Sequence, residues 1–200
     1  MSSASTPVES ARQSAGEVSE ECSALAATRA APRGRNVVWF PRRIGVPPLS
    51  LRLLRLRDLP ALYRRFDAEI FLRSAGRPVL PFRNFLSFWR WFRGKFPVVY
   101  LVELPTAGMR RVVGFVGLYD FQPGRTVSLS MAIFDPVDRR RRYGAQSIEM
   151  LCAWLSRRAV ARVAVAEVLR DNTESLRFVR AAGFAVRGER DGHVVLERGL

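Results

Sequence analysis

Residues 128–169 read as strand, basic turn, helix and second strand, and this crossover constrains the fold more than any other stretch. Ser128-Leu129-Ser130-Met131-Ala132-Ile133-Phe134 has the β-branched and aromatic content of a buried strand. Gln146 to Leu155 carries apolar residues at helical spacing. Arg162 to Leu169 returns to strand character, so the two strands are expected to be parallel neighbours joined through the helix. Between the first strand and the helix lies Asp138-Arg139-Arg140-Arg141-Arg142-Tyr143-Gly144-Ala145. A basic turn that opens a helix is an anion cradle in outline, because free backbone N–H groups and the helix dipole point at the same spot. The same residues also fit a solvated basic loop.

The remaining pattern surrounds this unit with antiparallel strands. Leu51 to Leu56 is a strand, and Asp58 with Pro60 marks a helix start. Phe82, Phe85, Leu86, Trp89 and Phe92 fall on a helical repeat that ends near Gly94. Pro97–Leu104 and Val112–Tyr119 form a hairpin about Pro105-Thr106-Ala107-Gly108. A short helix is expected from Thr173 to Ala182, with Asn172 as N-cap and Gly183 as its stop. Asp191-Gly192 then joins two last strands. The expectation is one α+β domain over residues 49–200, with a mixed six- to seven-stranded sheet flanked by helices. Residues 1–48 read as a disordered leader with a patch at Val37-Val38-Trp39-Phe40 that could dock.

Composition narrows the class. The 48% hydrophobic content supports a sizeable core. The net charge of +15 invites an anionic partner, yet Lys95 is the only lysine among 33 basic residues. Such a skew also fits GC-rich coding. Cys22 and Cys152 lie in different contexts, so no disulfide framework is expected and a reducing, cytoplasmic setting is the default. No apolar run approaches the roughly 20 residues of a membrane-spanning helix.

The order of strand, basic glycine turn, helix, strand, Asn172-Thr173-Glu174-Ser175, helix, Ala182-Gly183-Phe184 and hairpin resembles the GNAT superfamily of acetyl-CoA-dependent N-acetyltransferases, nearest to its Rim-type members. Arg139 and Gly144 match the family's Gln/Arg-x-x-Gly-x-Gly/Ala turn, while Arg142 stands at its first glycine. The resemblance implies a splayed strand pair that holds acetyl-CoA. Amides from Arg141 through Arg142, Tyr143 and Gly144 to Ala145 would bind the pyrophosphate, helped by arginine side chains including Arg139. Met131, Ala132 and Ile133 would pair with the pantetheine amides, Asn172 would contact that arm and Phe178 would pack on it. The implied reaction is direct attack of a primary amine, from a small molecule, a nucleotide sugar or a protein N-terminus.

Family acid and base positions are only partly filled. Many relatives carry a tyrosine one turn after Ser175, where this chain has Val179, and Ser175 itself is the candidate proton donor. Relatives with a glutamate on the strand before the turn align it near Leu129. Asp120 is the candidate for positioning or deprotonating the amine, with a turn-starting role equally open; Glu103 is a further option, with an exposed strand residue the favoured reading. His193 reads as a partly exposed strand residue, and no zinc constellation exists among one histidine and two cysteines. Phe85, Phe88, Trp89, Trp91 and Phe92 read mainly as core, with one or two left for the acceptor. A non-catalytic acyl-CoA-binding homologue is the alternative. A nucleic-acid-binding protein is disfavoured because the surplus arginines are scattered. A homodimer is an open expectation.

Overall fold

The computed structural model describes residues 38–45, 48–75, 80–106 and 108–200. The expected leader up to Val37 therefore lies outside the described residues. Eight strands form one sheet in the order β1-β2-β3-β4-β5-β6-β8-β7. They are β1 Arg43–Ile44, β2 Ser50–Leu53, β3 Val98–Thr106, β4 Met109–Gln122, β5 Thr126–Ile133, β6 Val163–Leu169, β7 Ala185–Arg190 and β8 His193–Gly199. The sheet has eight strands rather than six or seven because Arg43–Ile44 pairs with Leu51–Arg52 ahead of residue 49. Nearby packing holds that edge: Phe40 lies against Trp154 and Phe121, and the Tyr100 hydroxyl donates to the Pro41 carbonyl at 3.0 Å. Trp39, by contrast, is exposed.

All strand pairs are antiparallel except β5 and β6. The crossover between them is the helix α4, Tyr143–Arg157, as the hydrophobic periodicity requires. Its buried residues Ile148, Leu151, Cys152 and Leu155 recur at three- and four-residue steps and cover one face of the sheet. The shorter α5, Thr173–Ala181, sits on the same face through Leu176, Phe178 and Val179.

The opposite face is covered by α1 Leu59–Tyr63, α2 Ala68–Ala75 and α3 Phe85–Lys95. Asn84 caps α3 by accepting from the Ser87 amide at 2.9 Å, and the Ser87 hydroxyl takes the Asn84 amide in return. Phe88 and Phe92 are fully buried, one turn apart, among Phe66, Phe82, Phe96 and Phe115. Each such ring contributes about 1.5–3 kcal/mol of burial. Phe85, Leu86 and Trp89 lie on the outer side of the helix. This second layer is phenylalanine-rich, and it covers mainly β3, β4 and β5. Beside β6 the same face is bordered by α2.

Candidate acyl-transfer site

The site begins where β5 and β6 part. Their parallel pairing runs through Thr126–Val163, Val127–Ala164 and Ser128–Val165 and then stops. β5 continues to Ile133 with β4 alone on its other side, and β6 continues to Leu169 beside β8. The two strands form a splay whose apex is the Ser128–Val165 rung. Backbone groups of Met131, Ala132 and Ile133 that point away from β4 therefore face the gap. All three residues are half-buried.

The basic turn closes the wide end of that gap. Asp138 ends a short 3-10 turn, and Arg140 and Arg142 both take left-handed backbone conformations, with φ of 61° and 62°. Alternation of this kind turns successive N–H groups to one side. Arg142 is the N-cap residue of α4 and gives no side-chain cap. The amides of Tyr143, Gly144 and Ala145 thus have no acceptor within the helix. Gly144 is buried, and a Cβ there would stand 3.1 Å from the Phe178 ring and 3.5 Å from Met131 Sδ. A side chain here would push the Phe178 ring of α5 back by a few tenths of an ångström. Gly144, Phe178 and Met131, which belong to a helix start, a second helix and a strand, meet at one place.

The other residues of the turn take distinct positions. The Arg139 guanidinium donates to the carbonyls of Phe134 at 3.0 Å and Ile133 at 3.3 Å, and pairs with Glu69 at 3.3 Å. It ties the end of β5 to the turn. Arg140, Arg141 and Arg142 are exposed, whereas Tyr143 is half-buried against the core. Asn172 caps α5 by accepting from the Ser175 amide at 3.0 Å, and Ser175 is half-buried in the first turn of that helix.

A set of charged groups stands over the apex, on the face opposite α4 and α5. Tyr119 lies in register with Ser128, which is in register with Val165, so all three point to one side. Glu167, two residues along β6, shares that side. Asp120 sits where the β4–β5 register breaks, with φ of 43°, and is exposed. Burial, then the nearby Glu167 and Asp120, push the Tyr119 hydroxyl well above its ordinary range. Lys95 ends α3, with Nζ 5.7 Å from the centre of the Phe96 ring and 5.9 Å from that of Trp91. Burial holds its amine below the ordinary lysine value of 10.5, against the opposing pull of Glu167 and Asp120. Glu167 pairs with Arg190 from β7.

Glu167 and Lys95 escaped the reading of the sequence. One signal was present: Glu167 is the single polar residue in Val163-Ala164-Val165-Ala166-Glu167-Val168-Leu169. Glu103, in turn, is neither exposed nor at the splay. It is 3% accessible on β3 and held by Arg52 at 2.5 Å and Arg43 at 3.0 Å, which makes it structural. His193 is a half-buried strand residue whose ring meets the Asp191 carbonyl at 2.9 Å. Cys152 is buried and its thiol is pushed up to about 11 by that burial, so it carries no thiolate near neutrality. None of the described helices is long and apolar enough to cross a membrane.

Known structures share this architecture. The acetyltransferase from Salmonella typhimurium that modifies the N-terminal serine of ribosomal protein L7/L12 is 16% identical, with a TM-score of 0.64 over 78% of this chain and 96% of that one. RimL, a ribosomal L7/L12 α-N-protein acetyltransferase in complex with coenzyme A, is 18% identical, with a TM-score of 0.66 over 79% and 98%. Spermidine N-acetyltransferase from Vibrio cholerae, in complex with coenzyme A and spermine, is 14% identical, with a TM-score of 0.61 over 76% and 95%. At these identities the likeness establishes the fold. No curated protein matches the sequence significantly. The family model of the acetyltransferase (GNAT) domain matches residues 49–185, and the chain belongs to that family.

Proposed function

We propose that the protein transfers an acetyl group from acetyl-CoA to a primary amine of a small molecule, a nucleotide sugar or a protein N-terminus. The observation that carries this reading is the convergence of an uncapped helix start, a two-arginine left-handed turn and a strand pair that opens directly below it. The fit to the cofactor is specific. Amides of Arg141 to Ala145 suit the pyrophosphate, with the exposed guanidiniums of Arg141 and Arg142 beside them. From Ile133 to Leu129, β5 spans about 13 Å at roughly 3.3 Å per residue, a length that an extended pantetheine arm covers. Similar folds that hold coenzyme A support the same choice.

When bound, acetyl-CoA supplies an acetyl thioester at the apex. The chain must then take a proton from the incoming amine and return one to the leaving sulfur. Glu167 is the proposed proton acceptor, because it stands at the apex with a side chain 27% accessible and on the face open to an amine. Asp120 is proposed to orient the amine, and Ser175 to donate the returning proton.

Titration calorimetry with acetyl-CoA tests the reading, followed by turnover on an amine panel. Binding in the micromolar range and at least one acetylated amine are expected. A folded protein that binds no acetyl-CoA would remove it. A second reading, a non-catalytic acyl-CoA-binding homologue, draws on Val179 and Leu129 at positions where relatives carry tyrosine and glutamate. It predicts binding without turnover on every amine.

A further inference from the structure

We propose that Lys95 is an internal acceptor, acetylated by the cofactor bound to its own chain. The inference rests on the acetyl-CoA reading above and adds a modification site to it.

Position carries the proposal. Phe96 lies flat over β4, made possible by Gly117, where a Cβ would stand 2.5 Å from the Phe96 ring. Gly117 is in register with Ser130, and Tyr119 with Ser128, the last β5 residue paired to β6. The ring therefore covers the rungs at which the splay opens. Lys95 Nζ rests 5.7 Å from the centre of that ring, and it is the side chain's reactive end. Its electrostatic neighbours are Glu167 from β6 and Asp120 from β4, the two carboxylates on the acceptor side. Tyr119 and Arg190 complete the charged surroundings. Lys95 is an exposed residue, so its amine is open to an incoming acetyl group.

The chemistry closes without a further reagent. Neutral Nζ adds to the carbonyl carbon of the acetyl thioester, forming a C–N bond. The C–S bond breaks, coenzyme A leaves as its thiolate, Glu167 takes the proton lost by nitrogen, and Ser175 gives one to the sulfur and is reprotonated from solvent. The product is an Nζ-acetyl amide and free coenzyme A. Lys95 is the only lysine in the chain, so no other lysine competes.

The full-length protein incubated with acetyl-CoA alone provides the test, read by intact mass and peptide mapping. One acetyl group on Lys95 is expected, gained with a first-order rate independent of protein concentration. That rate should exceed acetylation of the urea-unfolded chain by at least about 100-fold, the advantage of held reactants. Lys95→Arg should gain none at this peptide, and Gly144→Glu should leave Lys95 at the unfolded-chain rate. Three outcomes overturn the inference: Lys95 unmodified while calorimetry shows acetyl-CoA bound, a rate that rises with protein concentration, or equal rates in the folded and unfolded chains. Absence of binding in the same titration overturns the cofactor reading itself.

Discussion

Arg111 on β4 donates two hydrogen bonds, of 2.6 and 2.7 Å, to the carboxylate of Asp138, which is 2% accessible at the base of the basic turn. Through this pair the turn is fastened to the sheet, so the arginines that follow are held in place. The Arg111 hydrogen bonds keep the Asp138 carboxyl below the ordinary value of 3.8. A lowered folded-state pKa stabilises the fold above the ordinary value, and that stability is lost as pH falls through the lowered one. Asp138→Asn should therefore cost about 1.5–3 kcal/mol at neutral pH. The gap from wild type should close on acidification below the ordinary value, as measured by urea unfolding at several pH values. A gap constant with pH would show that charge is not what holds the turn.

Arg142 stands at φ 62° where the family turn has glycine. A left-handed L-residue costs about 1–2 kcal/mol, partly offset in a glycine variant by the extra freedom of its unfolded chain. Arg142→Gly should raise stability by about 0.5–1 kcal/mol, visible as a higher Tm. An unchanged or lower Tm would mean that the guanidinium itself stabilises the turn.

Gly144→Glu places bulk against Phe178 and a negative charge at the helix start. Acetyl-CoA affinity should fall at least about 100-fold, which is roughly 2.8 kcal/mol. Calorimetry beside a circular dichroism control for folding decides it, and unchanged affinity in a folded variant would show that this turn is not the cradle.

Glu167 and Asp120 are separable by kinetics. Glu167→Gln should lower kcat about 10²–10³-fold with little change in KM, as loss of a general base does. Asp120→Gly relieves the φ of 43° and should stabilise the protein while lowering kcat less than Glu167→Gln does. The reverse order of kcat losses would exchange their roles.

Glu103 provides the contrast. Removing its charge leaves Arg52, itself largely buried, with Asp58 as its remaining carboxylate partner. Glu103→Gln should cost about 1.5–3 kcal/mol in denaturant unfolding while kcat stays at the wild-type value. A loss of kcat with stability intact would return Glu103 to the catalytic group.

Elements whose signal is local were legible in the chain itself. The helix at Phe85–Lys95, the Asp191-Gly192 hairpin, the Asn172 cap and the crossover from β5 to β6 each follow from spacing, turn chemistry or handedness, which act over a few residues. The helix, however, buries Phe88 and Phe92, while Phe85, Leu86 and Trp89 of the expected repeat are exposed. The glycine at position 144 was readable as well, since a turn that opens a helix at a basic run already states its chemistry. Only tertiary structure decided what stands opposite what. The carboxylates Glu103 and Glu167 both occupy apolar strands, yet one is locked between arginines and the other borders an open splay, because sheet order places β3 inside and β6 at the gap. Phe96, which carries the Lys95 amine 5.7 Å from its ring centre, packs on β4 only because Gly117 leaves room for it. Such meetings join residues tens of positions apart, and no local propensity encodes them.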